Sequence, residues 1–108
     1  MIKLRDLCAV LDSIGIPWSN QSFTGNDEPA PPYIVLVAGY GESVYADNRV
    51  YASWTSYDIA LYTRRRDYAL ERKIKDALDA ADCSYTLAVT SIESEKLVET
   101  AFSVDVEE

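Results

Sequence analysis

No histidine occurs in the 108 residues. That removes Ser-His-Asp and Cys-His nucleophile systems and every His-containing zinc or iron site. Cysteine is nearly as scarce: Cys8 and Cys83 are the only two. They form no CxxC pair, and no carboxylates are spaced to complete a metal site with them, so neither a metal nor a cofactor is expected. Both read as reduced, buried thiols, because two cysteines do not signal a disulfide-built secreted scaffold. The longest apolar run, Tyr33–Ala38, falls far short of the ~20 residues that cross a bilayer. The start, MIKLRDLCAVLDSIG, is interrupted by Asp6 and Asp12 and is followed by no small-residue cleavage site. It reads as a folded helix and not as a signal peptide, which places the chain in a cytosol or in something larger that leaves it. Bases are the minority, 10 against 18 acids, for a net charge of −8. A chain so charged repels a phosphate backbone, so a specific nucleic-acid partner is a poor expectation.

What is present is ordinary for one globular domain spanning 1–108, with 48% hydrophobic and 26% charged residues. Leu4, Leu7, Leu11 and Ile14 recur at helical spacing, Gly15 suits the position after the helix, and Pro17 bars continuation. Ile16–Phe23 reads as a short strand and Thr24–Pro32, with three prolines, as a loop. Tyr33–Ala38 is β-branched and apolar on both faces, as in a central strand. Gly39–Asn48 reads as a long connecting loop. Val50–Thr63 alternates Tyr57, Ile59 and Leu61 inward; its length predicts a bend or bulge near Ser53–Ser56. Asp67 suits the N-cap of a helix over Tyr68–Ala81, with Leu70, Ile74, Ala77, Leu78 and Ala81 as its buried stripe. In that helix Glu71, four residues before Lys75, reads as half of an exposed pair. Tyr85, Leu87 and Val89, then Phe102, Val104 and Val106, alternate inward on two closing strands joined by a turn at Ser91–Lys96.

Two amphipathic helices each need an apolar surface, and the inner face of the sheet is the only one large enough. The expected fold is therefore α+β: a two-layer sandwich with a mostly antiparallel sheet of four to five strands and both helices on one face. The outer face would carry Trp54, Ser56, Asp58, Ala60 and Tyr62, a mixture too apolar to be purely solvated, and it reads as a surface that meets another protein.

Carboxylates are the remaining catalytic resource, and their placement is unpromising. Glu93 and Glu95 fall in a polar turn, where carboxylates stay ordinary, and Asp27-Glu28 and Glu107-Glu108 read as loop and tail charges. Gly39 and Gly41 are not followed by GK[ST] and open no helix, so they make no phosphate cradle. No enzyme is expected. The unusual local feature is Arg64-Arg65-Arg66. Residues 64–76 carry six bases and three acids, a local +3, whereas residues 82–108 carry one base and seven acids, a local −6. Three readings stand: a solvated turn; a basic corner that meets a neighbour's acidic sheet edge head to tail, giving a ring or filament; or a DNA contact. Tyrosine, with eight copies, favours contact surfaces because it buries area at low entropy cost. The candidate interface is thus Tyr40, Tyr45, Trp54, Tyr62, Arg64, Arg65 and Arg66.

The succession Ser13-Ile-Gly-Ile-Pro17, Pro32-Tyr-Ile-Val35, Tyr57-Asp-Ile-Ala-Leu-Tyr-Thr63, Leu70-Glu-Arg-Lys-Ile-Lys-Asp-Ala-Leu78 and Ile92-Glu-Ser-Glu-Lys96 resembles the tail-completion and minor tail proteins of phages and prophages with long non-contractile tails. The resemblance runs over nearly the whole chain and rests on packing and turn motifs. It implies an α+β subunit of a tail terminator or tail-to-head joining ring, typically six-fold, that caps the tail tube and meets the head connector. It implies no catalytic residue. Trp54 and Arg64–Arg66 depart from the pattern. The expected function is accordingly that of a structural virion protein. It would form a homo-oligomeric ring at the head-proximal end of the tail, be located in the virion tail and in host cytoplasm during assembly, and have tail-tube and head-connector proteins as partners. An acidic lining would keep passing DNA from sticking. The alternative is a small ligand-binding regulatory α+β domain.

Overall fold

The computed structural model describes residues 2–21, 29–46 and 49–107, with side chains described outside 40–53. Its first helix, α1 (Leu4–Ile14), turns Leu7, Leu11 and Ile14 into the core. Gly15 then takes φ 86°, a left-handed conformation that a Cβ disfavours, and the helix stops there. The chain flanking α1 is extended on both sides. β1 (Ile2–Lys3) precedes it, and β2 (Trp18–Asn20) follows. The Trp18 indole N–H donates to Asp12 Oδ1 at 2.8 Å, tying β2 back to the helix.

Two long strands make the centre. β3 (Tyr33–Ala46) and β4 (Arg49–Thr63) pair antiparallel from Tyr33↔Tyr62 to Ala46↔Arg49. β3 thus continues through most of the stretch read as a loop over Gly39–Asn48; Asp47 and Asn48 lie outside the described residues. The expected bulge exists, but the extra residue is on β3, between Ala38 and Gly41, opposite Thr55–Tyr57. Glycine relieves a tight approach there: a Cβ on Gly39 would stand 3.0 Å from the Ser56 carbonyl oxygen. The two glycines that suggested a loop belong to a strand irregularity.

The second helix, α2 (Tyr68–Ala80), opens on Asp67, whose carboxylate accepts from the Leu70 N–H at 3.0 Å. Ile74 and Leu78 are buried, and Leu70, Ala77 and Ala81 pack against the same core. β5 (Tyr85–Ile92) and β6 (Leu97–Glu107) close the chain as a hairpin.

The fold is α+β, with two helices and a mixed six-stranded curled sheet, half of a barrel, in the order β1-β6-β4-β3-β2, with β5 beside β6. The long pairings β3–β4, β4–β6 and β5–β6 are antiparallel, as expected. The sheet departs from expectation in having six strands rather than four to five, in its two short parallel pairings, and in curling where a two-layer sandwich has a flat layer. β1 and β2 pair parallel with β6 and β3. β2 lies within the short strand read over Ile16–Phe23, whereas β1, at two residues, is too short to show a period of two in sequence. One core joins Leu7, Leu11 and Ile14 of α1 and Ile74 and Leu78 of α2 to Ile34, Leu36, Ile59, Leu61, Phe102, Val104 and Val106 of the sheet. Of the loop expected at Thr24–Pro32 and the strand end at Phe23, residues 22–28 lie outside the described residues, Asp27 and Glu28 among them.

Candidate assembly surfaces

The outer face of β4 is more internally committed than its sequence suggested. Tyr62 is half-buried; its hydroxyl donates to Glu99 Oε2 at 3.1 Å, and its ring stacks on Tyr33 at 5.2 Å between centroids. Ser103 Oγ donates to Asp58 Oδ1 at 2.6 Å across the same face. Ala60, expected on an outward surface, is buried. Trp54 is half-buried and paired in register with Glu107. The side chains of Tyr40 and Tyr45 lie outside those described.

The three arginines divide. Arg64 and Arg65 are exposed and make no ion pair among the described residues. Arg66 reaches back to α2: its Nε stands 3.2 Å from Glu71 Oε2 and its Nη2 3.3 Å from Glu71 Oε1, a two-pronged contact. Its guanidinium also lies 4.8 Å over the Tyr68 ring. The hydrogen bonds to Glu71 push the Arg66 pKa above its ordinary value. Glu71 therefore does not form the exposed pair expected with Lys75; its side chain is 2% exposed and faces inward beside Ile74. Nothing in its helical spacing against the lysines signals this, because the partner lies on the preceding turn. The i,i+4 pair found on α2 is Arg72–Asp76 at 3.8 Å.

Arg64–Arg66 rim a cleft of about 480 Å³ whose wall includes Pro31, Pro32 and Thr63. Among the described residues the Thr63 hydroxyl is buried without a hydrogen-bond partner. So is that of Thr100 on β6, two residues on from the Val98 that pairs with Thr63. The acidic C-terminal part of the chain does not form one edge. Glu99 lies at the arginine end of the sheet, and the turn carrying Glu93 and Glu95 follows β5 at that end. Asp105 and Glu107 lie at the other end, roughly 20–26 Å away along β6 at ~3.3 Å per residue. The charge polarity along the sequence is thus partly folded back on itself.

Two features had no sequence signal of their own. The first is an arm. β6 pairs with β4 only from Trp54 onward, and β2 pairs with β3 only at Ile34–Leu36. From Gly41 to Ser53 the β3–β4 hairpin is therefore a two-stranded ribbon with neither edge paired among the described residues. The molecule is correspondingly long, 50 × 30 × 22 Å. The second is β5. Leu87 and Val89 share the sheet face of Phe102 and Thr100, as their alternation predicts, yet they are 37% and 40% exposed. The alternation fixes which face they occupy and not whether a helix reaches that far.

Cys83 is buried and Cys8 half-buried, and both are free thiols. Burial pushes each pKa above the ordinary value, helped by Asp12 at Cys8 and by Asp105 at Cys83. Such thiols are poor nucleophiles at neutral pH. Among the described residues no group of three or more Cys, Asp or Glu side chains is arranged to hold a metal ion, and no helix is long and apolar enough to cross a membrane. Compared with known proteins, the chain matches no family model, and no curated protein is similar enough to count as a relative.

Proposed function

We propose that the chain is a structural subunit of a phage tail, assembling with copies of itself into a ring at the head-proximal end, as a tail terminator or tail-to-head joining protein. The observation that carries this reading is the β3–β4 arm. A two-stranded ribbon with both edges open is marginal in water by itself. Its cross-strand pairs would gain most from a neighbour that completes the sheet. Such a neighbour is the tail tube, the head connector or the adjoining subunit, and Tyr40, Tyr45 and Trp54 are the aromatic residues that would meet it. Arg64 and Arg65, exposed and without carboxylate partners among the described residues, suit the acidic end of the next copy around Asp105 and Glu107. The sequence resemblance supplies the phage context, and the arm supplies the mechanical reason to assemble. Electron microscopy of tails from a virus lacking the gene tests the proposal: overlong tails, or tails not joined to heads, are expected. Normal tails on full heads would refute it.

A second reading, a small ligand-binding domain, is favoured by the cleft beside Arg64 and Arg65. Its volume falls within the range of small-molecule sites, and the buried Thr63 hydroxyl adds an unused polar group. A thermal-shift screen with amino acids and nucleotides would support this reading by a large, saturable stabilisation that Arg64→Ala abolishes.

A further inference from the structure

We infer that β5 is a self-association edge, at which two copies of the chain pair antiparallel about a two-fold axis and extend their sheets into one. Three observations lead there. The first is topological: β5 pairs with β6 on one side and with nothing described on the other. The second is compositional. Natural sheets protect an open edge with lysine, proline, a bulge or brevity. The eight residues Tyr85-Thr-Leu-Ala-Val-Thr-Ser-Ile92 contain no charge and no proline, and their register with β6 is unbroken. The third is the exposure of Leu87 and Val89, side by side on one face of that strand.

The occupant is a second copy, because Thr86-Leu-Ala-Val-Thr90 has the same pattern of residue types read in either direction about Ala88. Each copy carries −8, so two copies meet at least electrostatic cost where neither brings an acid, and β5 is an edge strand without one. Symmetry does the rest. In an antiparallel pair, residues directly opposite share a face. With Ala88 on the two-fold axis, Leu87 of each copy lies opposite Val89 of the other. The four side chains then form one apolar cluster on the face where both are now exposed, and Thr86 meets Thr90 on that same strand pair's other face. Such a contact is self-complementary and stops at two. It is small and belongs with weak associations. At its ends Glu93 of one copy approaches Asp82 of the other, so added salt should tighten the pair by screening like charges. The inference does not rest on the ring proposal, whose arm and arginine corner lie elsewhere on the chain.

Sedimentation velocity on the full chain, from about 10 μM to about 1 mM, should show the mass rising from one chain to two. The rise should come earlier at high salt. Leu87→Lys combined with Val89→Lys takes each copy from −8 to −6 and so lessens general repulsion. It should nevertheless weaken the pair at least about tenfold, because four lysines would meet on one face. Circular dichroism checks that this variant is folded. Independently, Ala88→Cys should give a disulfide-linked pair under mild oxidation where the wild type gives none. Association that the double-lysine variant leaves unchanged, a failure of the A88C variant to cross-link, or a single-chain mass at every concentration would each overturn the inference. A ring built through other surfaces would survive in L87K/V89K, so the two proposals fail separately.

Discussion

Val104 and Val89 offer a controlled comparison of burial in this fold. They sit on neighbouring strands and face the same side of the sheet, yet Val104 is 2% exposed and Val89 is 40% exposed. Truncation to alanine removes the same two methyl groups from each. At Val104 the transfer loss is about 1.6 kcal/mol at ~0.8 kcal/mol per methyl-sized group, and a residual cavity in the core brings it to ~2–3 kcal/mol. At Val89 about 60% of that transfer loss applies, roughly 1 kcal/mol at most, and no closed cavity forms because the side chain already borders solvent. The two variants should therefore differ by ~1–2 kcal/mol, or about 5–15 °C in melting temperature for a chain of this length. Thermal and urea unfolding at a few micromolar protein, where β5 is unpaired, would measure it. Equal losses would refute the reading that Val89 lies beyond the cover of the helices. If the β5 edge pairs two copies, the Val89→Ala loss should grow with protein concentration while the Val104→Ala loss does not.

Asp67→Ala removes the side-chain acceptor for the Leu70 N–H and should cost about 1 kcal/mol, read as a lower urea midpoint with unchanged slope. Gly39→Ala places a Cβ 3.0 Å from the Ser56 carbonyl oxygen; overpacking against backbone should cost ~1–3 kcal/mol, and a neutral result would mean that the bulge relaxes freely. Burial and Asp105 raise the Cys83 pKa above the ordinary thiol value of 9.0. Above pH 9 the unfolded chain therefore loses a proton that the folded chain keeps, so stability should fall as pH rises from there. Cys83→Ala should flatten that part of the stability–pH curve. Glu71→Leu replaces a buried ion by an apolar group of similar size and should be near neutral, because Arg66 can return to water. Arg66→Leu leaves the carboxylate buried and unpaired and should be the more damaging of the two by melting temperature.

The sequence made the helices legible because each signal there was local. The Leu4–Ile14 spacing, Gly15, Pro17 and the Asp67 cap all act within one or two turns, and the structure places each helix accordingly. The inward sets of β4 and β6 were legible for the same reason, since alternation is a property of the strand itself. What failed was non-local. Gly39 and Gly41 look like loop residues until the cross-strand pairing with Thr55–Tyr57 gives them a bulge to occupy. β1 has no pattern of its own at two residues, and β2, which falls within the strand read over Ile16–Phe23, carries nothing local that gives its parallel pairing with β3. Glu71 followed the helical rule for an exposed pair and was claimed instead by an arginine five residues earlier. Of the candidate interface, the aromatic–arginine signal gathered residues from separate surfaces: Tyr62 is spent within the sheet and Arg66 within the α2 entry, leaving Arg64 and Arg65 without ion-pair partners among the described residues.

That division of the arginines bears on how an acidic protein could assemble at all. At −8 per copy, every copy-to-copy contact begins against repulsion, and only uncharged or oppositely charged surfaces can offset it. Among the described residues the molecule presents both kinds. β5 is an edge without charge, and Arg64 and Arg65 form an exposed positive corner. The two respond oppositely to salt. Screening strengthens a contact opposed by like charges and weakens one made by opposite charges. Titrating sodium chloride against oligomer mass should therefore separate them: the two-chain species should gain with salt, and any head-to-tail species held by Arg64 and Arg65 should lose. An Arg64→Glu, Arg65→Glu variant should abolish the second response and leave the first. If both species moved in the same direction with salt, the assignment of one contact to an uncharged edge and the other to a charged corner would be wrong.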